Sequence, residues 1–96
     1  MRKTRPAVIV NDDAIVILPL KVIVPITEWD NRYTIAAWLV RIESDDISGL
    51  KKTSAADAFQ VRCVSQTRFV KQIGRLSEKE MQKIVKSLAA VFGIPV

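Results

Sequence analysis

Histidine is absent from this 96-residue chain, and cysteine occurs only once, at Cys63. Without histidine the chain cannot build a His/Cys zinc site, a Ser-His-Asp or Cys-His catalytic arrangement, or a ribonuclease mechanism based on a histidine acid–base pair. One cysteine can neither close a disulfide within the chain nor hold a metal ion by itself. These absences exclude many of the common hydrolytic chemistries.

The chain also lacks an uninterrupted apolar run that could cross a membrane. Its most apolar stretch, residues 14–26, is short and is broken by Pro19, Lys21 and Pro25. The basic N-terminal residues are not followed by a leader-like apolar segment with a cleavage site. We therefore expect a cytoplasmic protein with no membrane partner, folded as a single domain over residues 1–96.

Acidic residues are too few to balance the basic ones. The chain has 15 Lys and Arg against 10 Asp and Glu, a net charge of +5. Excess positive charge favours a polyanionic partner such as nucleic acid. No carboxylate pair, glycine-rich phosphate loop or nucleophile elbow is present. Composition and motifs therefore indicate a basic domain that can bind RNA, but they do not identify a reaction.

Short Val- and Ile-rich runs predict a mainly β protein. We expect strands at 7–11, 21–26, 35–42 and 58–64, a brief strand or an apolar loop at 14–18, and a final short strand at 69–73. In the 58–64 strand, alternation would set Gln60 and Arg62 on the face opposite Phe59 and Cys63. Residues 27–34 and 43–54 are predicted to be exposed polar connections.

The C-terminal segment predicts an amphipathic helix. Ser77 and Glu80 have the spacing of a capping box, which satisfies free N–H groups of the first turn. Gly93 suits the position after the last turn, and Pro95 prevents continuation. One apolar face is expected to pack across the strands, as a small barrel or sheet with a terminal helix; its residues are Met81, Ile84, Val85, Leu88 and Phe92.

Two polar residues beside apolar strands are candidates for phosphate chemistry. Arg5 precedes Pro6 at the start of the first strand, which would give its guanidinium a fixed direction suited to a phosphate. Thr27 ends the apolar strand at 21–26. Taken in isolation, Arg5 is better explained by a solvated basic tail, and Thr27 by a hydroxyl that bonds to nearby backbone. If the two strand ends are neighbours, however, both side chains can contact one phosphate.

Other candidates would contact bases. Gln60 offers both a donor and an acceptor, and Arg62 lies on the same predicted face. Trp29 lies in a loop that also contains Arg32 and Tyr33, the side-chain types on which single-stranded RNA stacks. The alternatives are a solvent-exposed outer strand face for Gln60 and Arg62, and a lid over the core for Trp29.

Four strings occur together along nearly the whole chain: TRPAVIVNDD at 4–13, KVIVPIT at 21–27, QVR at 60–62 and IGRLSEKEM at 73–81. Their joint occurrence in this order resembles the MazF/PemK family of type II toxin–antitoxin toxins. The resemblance implies a small SH3-like barrel of the CcdB/MazF toxin type with a C-terminal helix. It also implies a homodimer whose groove binds single-stranded RNA or the extended acidic tail of a MazE-like antitoxin.

The same resemblance implies a sequence-selective endoribonuclease that needs no metal and no cofactor. The RNA 2′-hydroxyl would attack, leaving a 2′,3′-cyclic phosphate and a 5′-hydroxyl. Arg5 matches the family's catalytic arginine and Thr27 the hydroxyl residue that steadies the scissile phosphate. Asn11 and Gln60 match positions near the bound bases, and Arg62 a polar position beside them. Because a guanidinium stays protonated at neutral pH, we expect Arg5 to stabilise charge and to be suited to the role of acid rather than base.

The chain departs from the family pattern at its start. Family members usually have another strand and a loop before the Arg-Pro step, whereas here only four residues precede Arg5. This leaves two alternatives: the start of the chain was placed too late, or the domain is N-terminally truncated and lacks this strand, which would expose a sheet edge. Two alternatives to an active ribonuclease stay open: a non-catalytic relative that binds RNA or antitoxin, and a CcdB-like gyrase poison. A gyrase poison would need neither Arg5 nor Thr27.

Overall fold

The computed structural model describes residues 4–15 and 18–95. Its strands are β1 (Ala7–Ile9), β2 (Leu20–Glu28), β3 (Leu39–Ile42), β4 (Ser54–Asp57) and β5 (Arg62–Ser65), and its helix is α1 (Glu78–Phe92). Short 3-10 helices lie at Asn31–Ile35, Ala58–Gln60 and Gln66–Arg68. The mainly antiparallel sheet with a C-terminal helix confirms the predicted fold class. No helix in the described ranges is long and apolar enough to cross a membrane.

Strand β2 is the centre of the sheet and pairs along both of its edges. β1 lies antiparallel on one edge, with Ala7 opposite Pro25 and Ile9 opposite Ile23. The other edge carries β5 beside the first half of β2 and β4 beside the second half. β3 then pairs with β4. Both edges of β2 are therefore occupied, and β2 holds the other strands in place.

Pro25 explains why the second edge is divided between two strands. The backbone N–H of Ile26 donates to the Pro6 carbonyl at 3.1 Å, on the β1 side. Because N–H directions alternate along a strand, residue 25 would direct its N–H towards β4 and β5, and proline has no N–H. The ladder therefore lacks a donor at the point where β4 ends.

The chain responds with a three-residue bulge opposite Pro25. A step of three residues along β2, from Ile23 to Ile26, corresponds to a step of six residues from Arg62 to Ala56. The extra residues form the 3-10 helix Ala58–Gln60. The prediction of one strand over 58–64 was therefore wrong: two strands flank a helical turn, and Gln60 and Arg62 do not share a strand face.

Other predicted boundaries moved for local reasons. Thr27 belongs to β2 rather than to a loop, because it pairs with Ala55 of β4. The strand predicted at 35–42 begins only at Leu39, since the Asp30 side chain caps the 3-10 helix Asn31–Ile35. No strand forms at 69–73, and Arg75 instead donates its backbone N–H to the Ile47 carbonyl at 2.8 Å. In the stretch predicted at 14–18, residues 16–17 lie outside the described ranges and the others are not in a strand.

Helix α1 begins and ends as predicted. The Ser77 hydroxyl accepts from the Glu80 N–H at 3.1 Å, and the Glu80 carboxylate accepts from the Ser77 N–H at 2.9 Å. Gly93 adopts a φ of 71°, a left-handed conformation that costs glycine little. The local capping signals therefore predict both ends of the helix.

The core lies between α1 and one face of the sheet. Ile84 is fully buried, and Met81 and Leu88 pack around it against β-strand residues. Val85 and Phe92, predicted on the same face, are 53% and 60% exposed. The apolar stripe of the helix is wider than the face that the sheet covers, so part of it remains on the surface. The strand residues of the core are Val8, Val24, Ile26, Val40, Ile42 and Ala56.

Candidate functional site

An open groove of about 2400 Å³ is lined by exposed polar residues together with parts of the core cluster, including Val8 and Met81. Alternation along β2 directs Val24 and Ile26 into the core and sets Ile23, Pro25 and Thr27 on the opposite face, and of these five residues all but Val24 line the groove. The burial of one face therefore orients the other, and a one-residue slip of β2 would exchange the two sets.

Arg5 and Thr27 both line this groove. Ala7 pairs with Pro25, and the hydrogen bond from the Ile26 N–H to the Pro6 carbonyl continues the register by one residue. Extension by one more residue would set Arg5, which precedes β1, opposite Thr27. In such cross-strand pairs the Cβ atoms are about 4.5–5.5 Å apart. Both side chains are exposed and line the groove. The arrangement allows a guanidinium and a hydroxyl to contact one anionic group.

Gln60 and Arg62 also line the groove, but they reach it from different elements. Arg62 starts β5 and pairs with Ile23 of β2. Gln60 ends the 3-10 helix opposite Pro25, and its side-chain amide donates from Nε2 to Oδ2 of Asp57 at 2.8 Å. Four of the six predicted site residues therefore line the groove. Arg5 precedes β1, Thr27 lies near the end of β2, Gln60 lies in the turn between β4 and β5, and Arg62 begins β5.

Asn11 and Trp29 lie outside the groove lining. The Asn11 side-chain oxygen accepts from the Val22 backbone N–H at 2.9 Å, which extends the pairing between β1 and β2. Trp29 is half-buried, and its Nε1 donates to Asn31 at 3.2 Å. Both side chains have local structural partners, and the prediction that they bind RNA is not tested by these contacts.

Trp29 nevertheless organises a cluster beside the groove. The Arg41 guanidinium lies 5.5 Å from the centre of its ring, and the Tyr33 ring meets it edge to face at 5.8 Å between centroids. Tyr33, unlike Trp29, lines the groove. Sequence reasoning had named Trp29 as the stacking residue of this loop, but only the fold shows which aromatic side chain reaches the groove.

The groove contains the excess positive charge of the chain. Eight basic and three acidic residues line it. The sequence has 15 basic and 10 acidic residues, so seven of each lie outside the groove lining and their charges cancel. Arg5 and Arg62 form no ion pair with any described residue. Uncompensated cations in a concave surface attract a polyanion.

Close to this surface, Arg32 and Asp30 form an exposed ion pair with a 2.8 Å separation between Nη2 and Oδ2. The hydrogen bond from the Arg32 side chain lowers the pKa of Asp30, and the same bond raises the pKa of Arg32. Among the described residues no group of three His, Cys, Asp or Glu side chains is arranged to hold a metal ion.

Asp57 was missed by sequence reasoning. It ends β4, lines the groove and accepts two hydrogen bonds from the turn that follows. An Asp two residues before a turn N–H is a recognisable local signal. The prediction of a continuous strand over 58–64 concealed it.

Comparison with known proteins agrees with this architecture. Residues 1–92 match the family model described as a PemK-like, MazF-like toxin of a type II toxin–antitoxin system. A search among curated protein sequences finds no significant match.

Solved structures show the same fold at low sequence identity. The Mycobacterium tuberculosis toxin MazF-mt6 superposes with a TM-score of 0.82 at 18% identity, over 96% of this chain and 89% of that one. A mycobacterial endoribonuclease in complex with its cognate antitoxin gives a TM-score of 0.80 at 22% identity, over 96% and 84% of the two chains. Since the family model covers nearly the whole sequence, the chain belongs to the PemK-like, MazF-like toxins of type II toxin–antitoxin systems.

Proposed function

We propose that this toxin is a cytoplasmic, sequence-selective endoribonuclease that cleaves single-stranded RNA without a metal ion. The observation that carries the proposal is that Arg5 and Thr27 both line a groove holding the excess positive charge. Extension of the β1–β2 register by two residues beyond Ala7 supports their pairing. The similarity in fold to mycobacterial endoribonucleases supports the same conclusion.

The proposed reaction takes its nucleophile from the substrate. The RNA 2′-hydroxyl gives its proton to solvent water and attacks the adjacent phosphorus, the bond to the 5′-oxygen breaks, and the products are a 2′,3′-cyclic phosphate and a 5′-hydroxyl. Arg5 stabilises the charge that develops on the phosphate oxygens, and the Thr27 hydroxyl donates to one of them. A protonated guanidinium is also suited to supply the proton that the leaving 5′-oxygen requires. Arg62 contacts a flanking phosphate.

Two protein partners belong to the proposal. One is a MazE-like antitoxin whose extended acidic segment occupies the basic groove, by analogy with the antitoxin complex of the mycobacterial relative. The other is a second copy of the chain. Large apolar side chains remain on the surface, including Phe59 at 68% and Phe92 at 60% exposure, and a dimer interface would cover some of them. Sedimentation equilibrium at micromolar concentration tests this, and a monomer would contradict it.

The test of the reaction is cleavage of an unstructured RNA pool in EDTA. We expect cleavage with 2′,3′-cyclic phosphate ends, and Arg5→Ala to slow it by roughly 10²- to 10³-fold, as for loss of a donor to a developing oxyanion. Lys83→Ala removes one positive charge from the exposed side of α1 and should leave the rate unchanged.

The outcomes separate the alternatives. A requirement for added metal contradicts the mechanism. RNA binding without cleavage would instead identify a non-catalytic relative. Intact RNA combined with inhibition of DNA supercoiling would identify a gyrase poison.

A further inference from the structure

We propose that Asp57 is a positioning residue that fixes the orientation of the Gln60 side-chain amide and thereby determines which class of RNA base the groove accepts beside it. The proposal rests on the ribonuclease function above. The family resemblance implies only that Gln60 lies near a bound base, and it assigns no role to Asp57.

The two oxygens of Asp57 are both used by the turn that follows. Oδ1 accepts from the Phe59 backbone N–H at 3.1 Å, and Oδ2 accepts from Gln60 Nε2 at 2.8 Å. Asp57 is half-buried at the end of β4, where pairing with Leu39 fixes its backbone. The aspartate therefore anchors the side chain of Gln60 to a paired strand.

The chemistry of the carboxylate allows one orientation of the amide. A carboxylate only accepts hydrogen bonds, so the Gln60 group facing it must be the NH2 and not the oxygen. Oε1 of Gln60 and its second N–H then remain available. Gln60 is exposed and lines the groove, so this acceptor and donor face the substrate in a fixed order.

A fixed order of donor and acceptor separates adenine and cytosine from guanine. Adenine and cytosine present an amino donor beside a ring-nitrogen acceptor, whereas guanine presents a carbonyl acceptor and a ring N–H donor in the reverse order. Uracil presents both orders, because its ring N–H lies between two carbonyls. An amide free to rotate can match either class, but a locked amide matches one. Asp57 thus converts a side chain that tolerates every base into one that discriminates.

Asp57→Asn should weaken the preference and shift it towards bases that present carbonyl oxygens. The amide oxygen that this substitution introduces can still accept from the Phe59 N–H, which leaves the new NH2 group facing Gln60. The Gln60 amide must then turn to present Oε1 to that NH2 group, and the groove meets two N–H donors instead. Asp57→Ala removes the lock, so both base classes should be accepted.

The experiment compares the base composition at each position of RNAs bound and cleaved from a random pool. We expect the wild type to favour one class at one position by roughly tenfold, the usual discrimination of a two-point base contact. In Asp57→Asn that preference falls and shifts towards the other class, and in Asp57→Ala it disappears. Asp12→Asn is the matched control, because Asp12 accepts from a backbone N–H two residues on and lies outside the groove.

Introducing Asp57→Asn into a Gln60→Ala variant tests whether Asp57 acts through Gln60. There the base preference at this position should already be lost, and adding Asp57→Asn should change nothing further. The proposal is overturned if the Asp57 variants keep the wild-type preference, or if they alter it equally without Gln60. Binding selections report base preference even if cleavage is absent, so a catalytic failure is distinguishable from a failure of this assignment. Absence of both binding and cleavage by the wild type would overturn both proposals.

Discussion

The two faces of the sheet use alternate residues of the same strands for opposite purposes. On the core face, Val24 and Ile26 of β2 pack beneath α1 together with Ile84. On the groove face, Pro25 and Thr27 of the same strand border an open, basic surface. The helix covers only the first face, so polar groups on the second keep access to ligand.

This contrast teaches how a small domain separates stability from function. Burial of branched apolar side chains on one face supplies most of the favourable free energy of folding. That burial also fixes the register of β1 against β2, which leads Arg5 and Thr27 into the same groove. Substitutions on the core face should therefore change the free energy of unfolding, and polar substitutions on the groove face should change activity alone.

The largest effect is expected on the core face. Ile84→Ala removes a fully buried side chain and should lower the free energy of unfolding by about 2–5 kcal/mol, because it leaves a cavity under the sheet. Val85→Ala alters the neighbouring side chain, which is 53% exposed, and should cost much less. Urea unfolding measures both variants. If both variants lost the same free energy of unfolding, α1 would have to be rotated about its axis so that Val85 is also buried against the sheet.

A smaller effect is expected from the groove face. Thr27→Val keeps the shape of the side chain and removes its hydroxyl, so RNA cleavage should fall roughly ten- to a hundredfold through loss of a hydrogen bond to a charged group. The free energy of unfolding should change by less than about 0.5 kcal/mol.

Thr53→Val is the matched control for that change. Thr53 also lies beside β2, but its hydroxyl donates to Glu43 at 3.3 Å and it does not line the groove. Its cleavage rate should equal that of the wild type. If both threonine variants lose activity equally, the two faces are not separable in the way described above.

The smallest effect is a pH dependence on the exposed loop after β2. The Arg32 side-chain hydrogen bond lowers the pKa of Asp30, so the folded state binds a proton there less readily than the unfolded state. The resulting stabilisation is present above the unfolded pKa of about 4 and is lost as the pH falls through the lower folded value. Thermal unfolding at low salt should show Asp30→Asn slightly less stable near neutral pH and equal to the wild type in acid.

Asp46→Asn is the comparison for this variant, since Asp46 is exposed and forms no ion pair with a described residue. Its thermal stability near neutral pH should equal that of the wild type. A difference between wild type and Asp30→Asn that persists unchanged in acid would show that the ion pair is not its source.

Some features of the protein follow from the sequence alone because their signals are local. The Ser77–Glu80 capping box and Gly93 predict both ends of α1. The apolar run ending at Thr27 predicts β2. The order of four short sequence motifs identifies the toxin family, and the match to the family model confirms it. Each of these depends on residues close together in the chain or on a recognised pattern.

Other features were decided only by the tertiary structure. Whether residues 58–64 form one strand depends on the edge of β2 beside which they lie. At that edge Pro25 has no backbone N–H to donate, so a 3-10 turn interrupts the pairing. Which apolar residues of α1 are buried depends on the width of the sheet below them, which leaves Val85 and Phe92 outside. The presence of Arg5 and Thr27 in one groove comes from the register between two strands, and the Asp57–Gln60 contact comes from the turn that the bulge creates. Such contacts depend on non-local pairing, so no pattern in neighbouring residues predicts them.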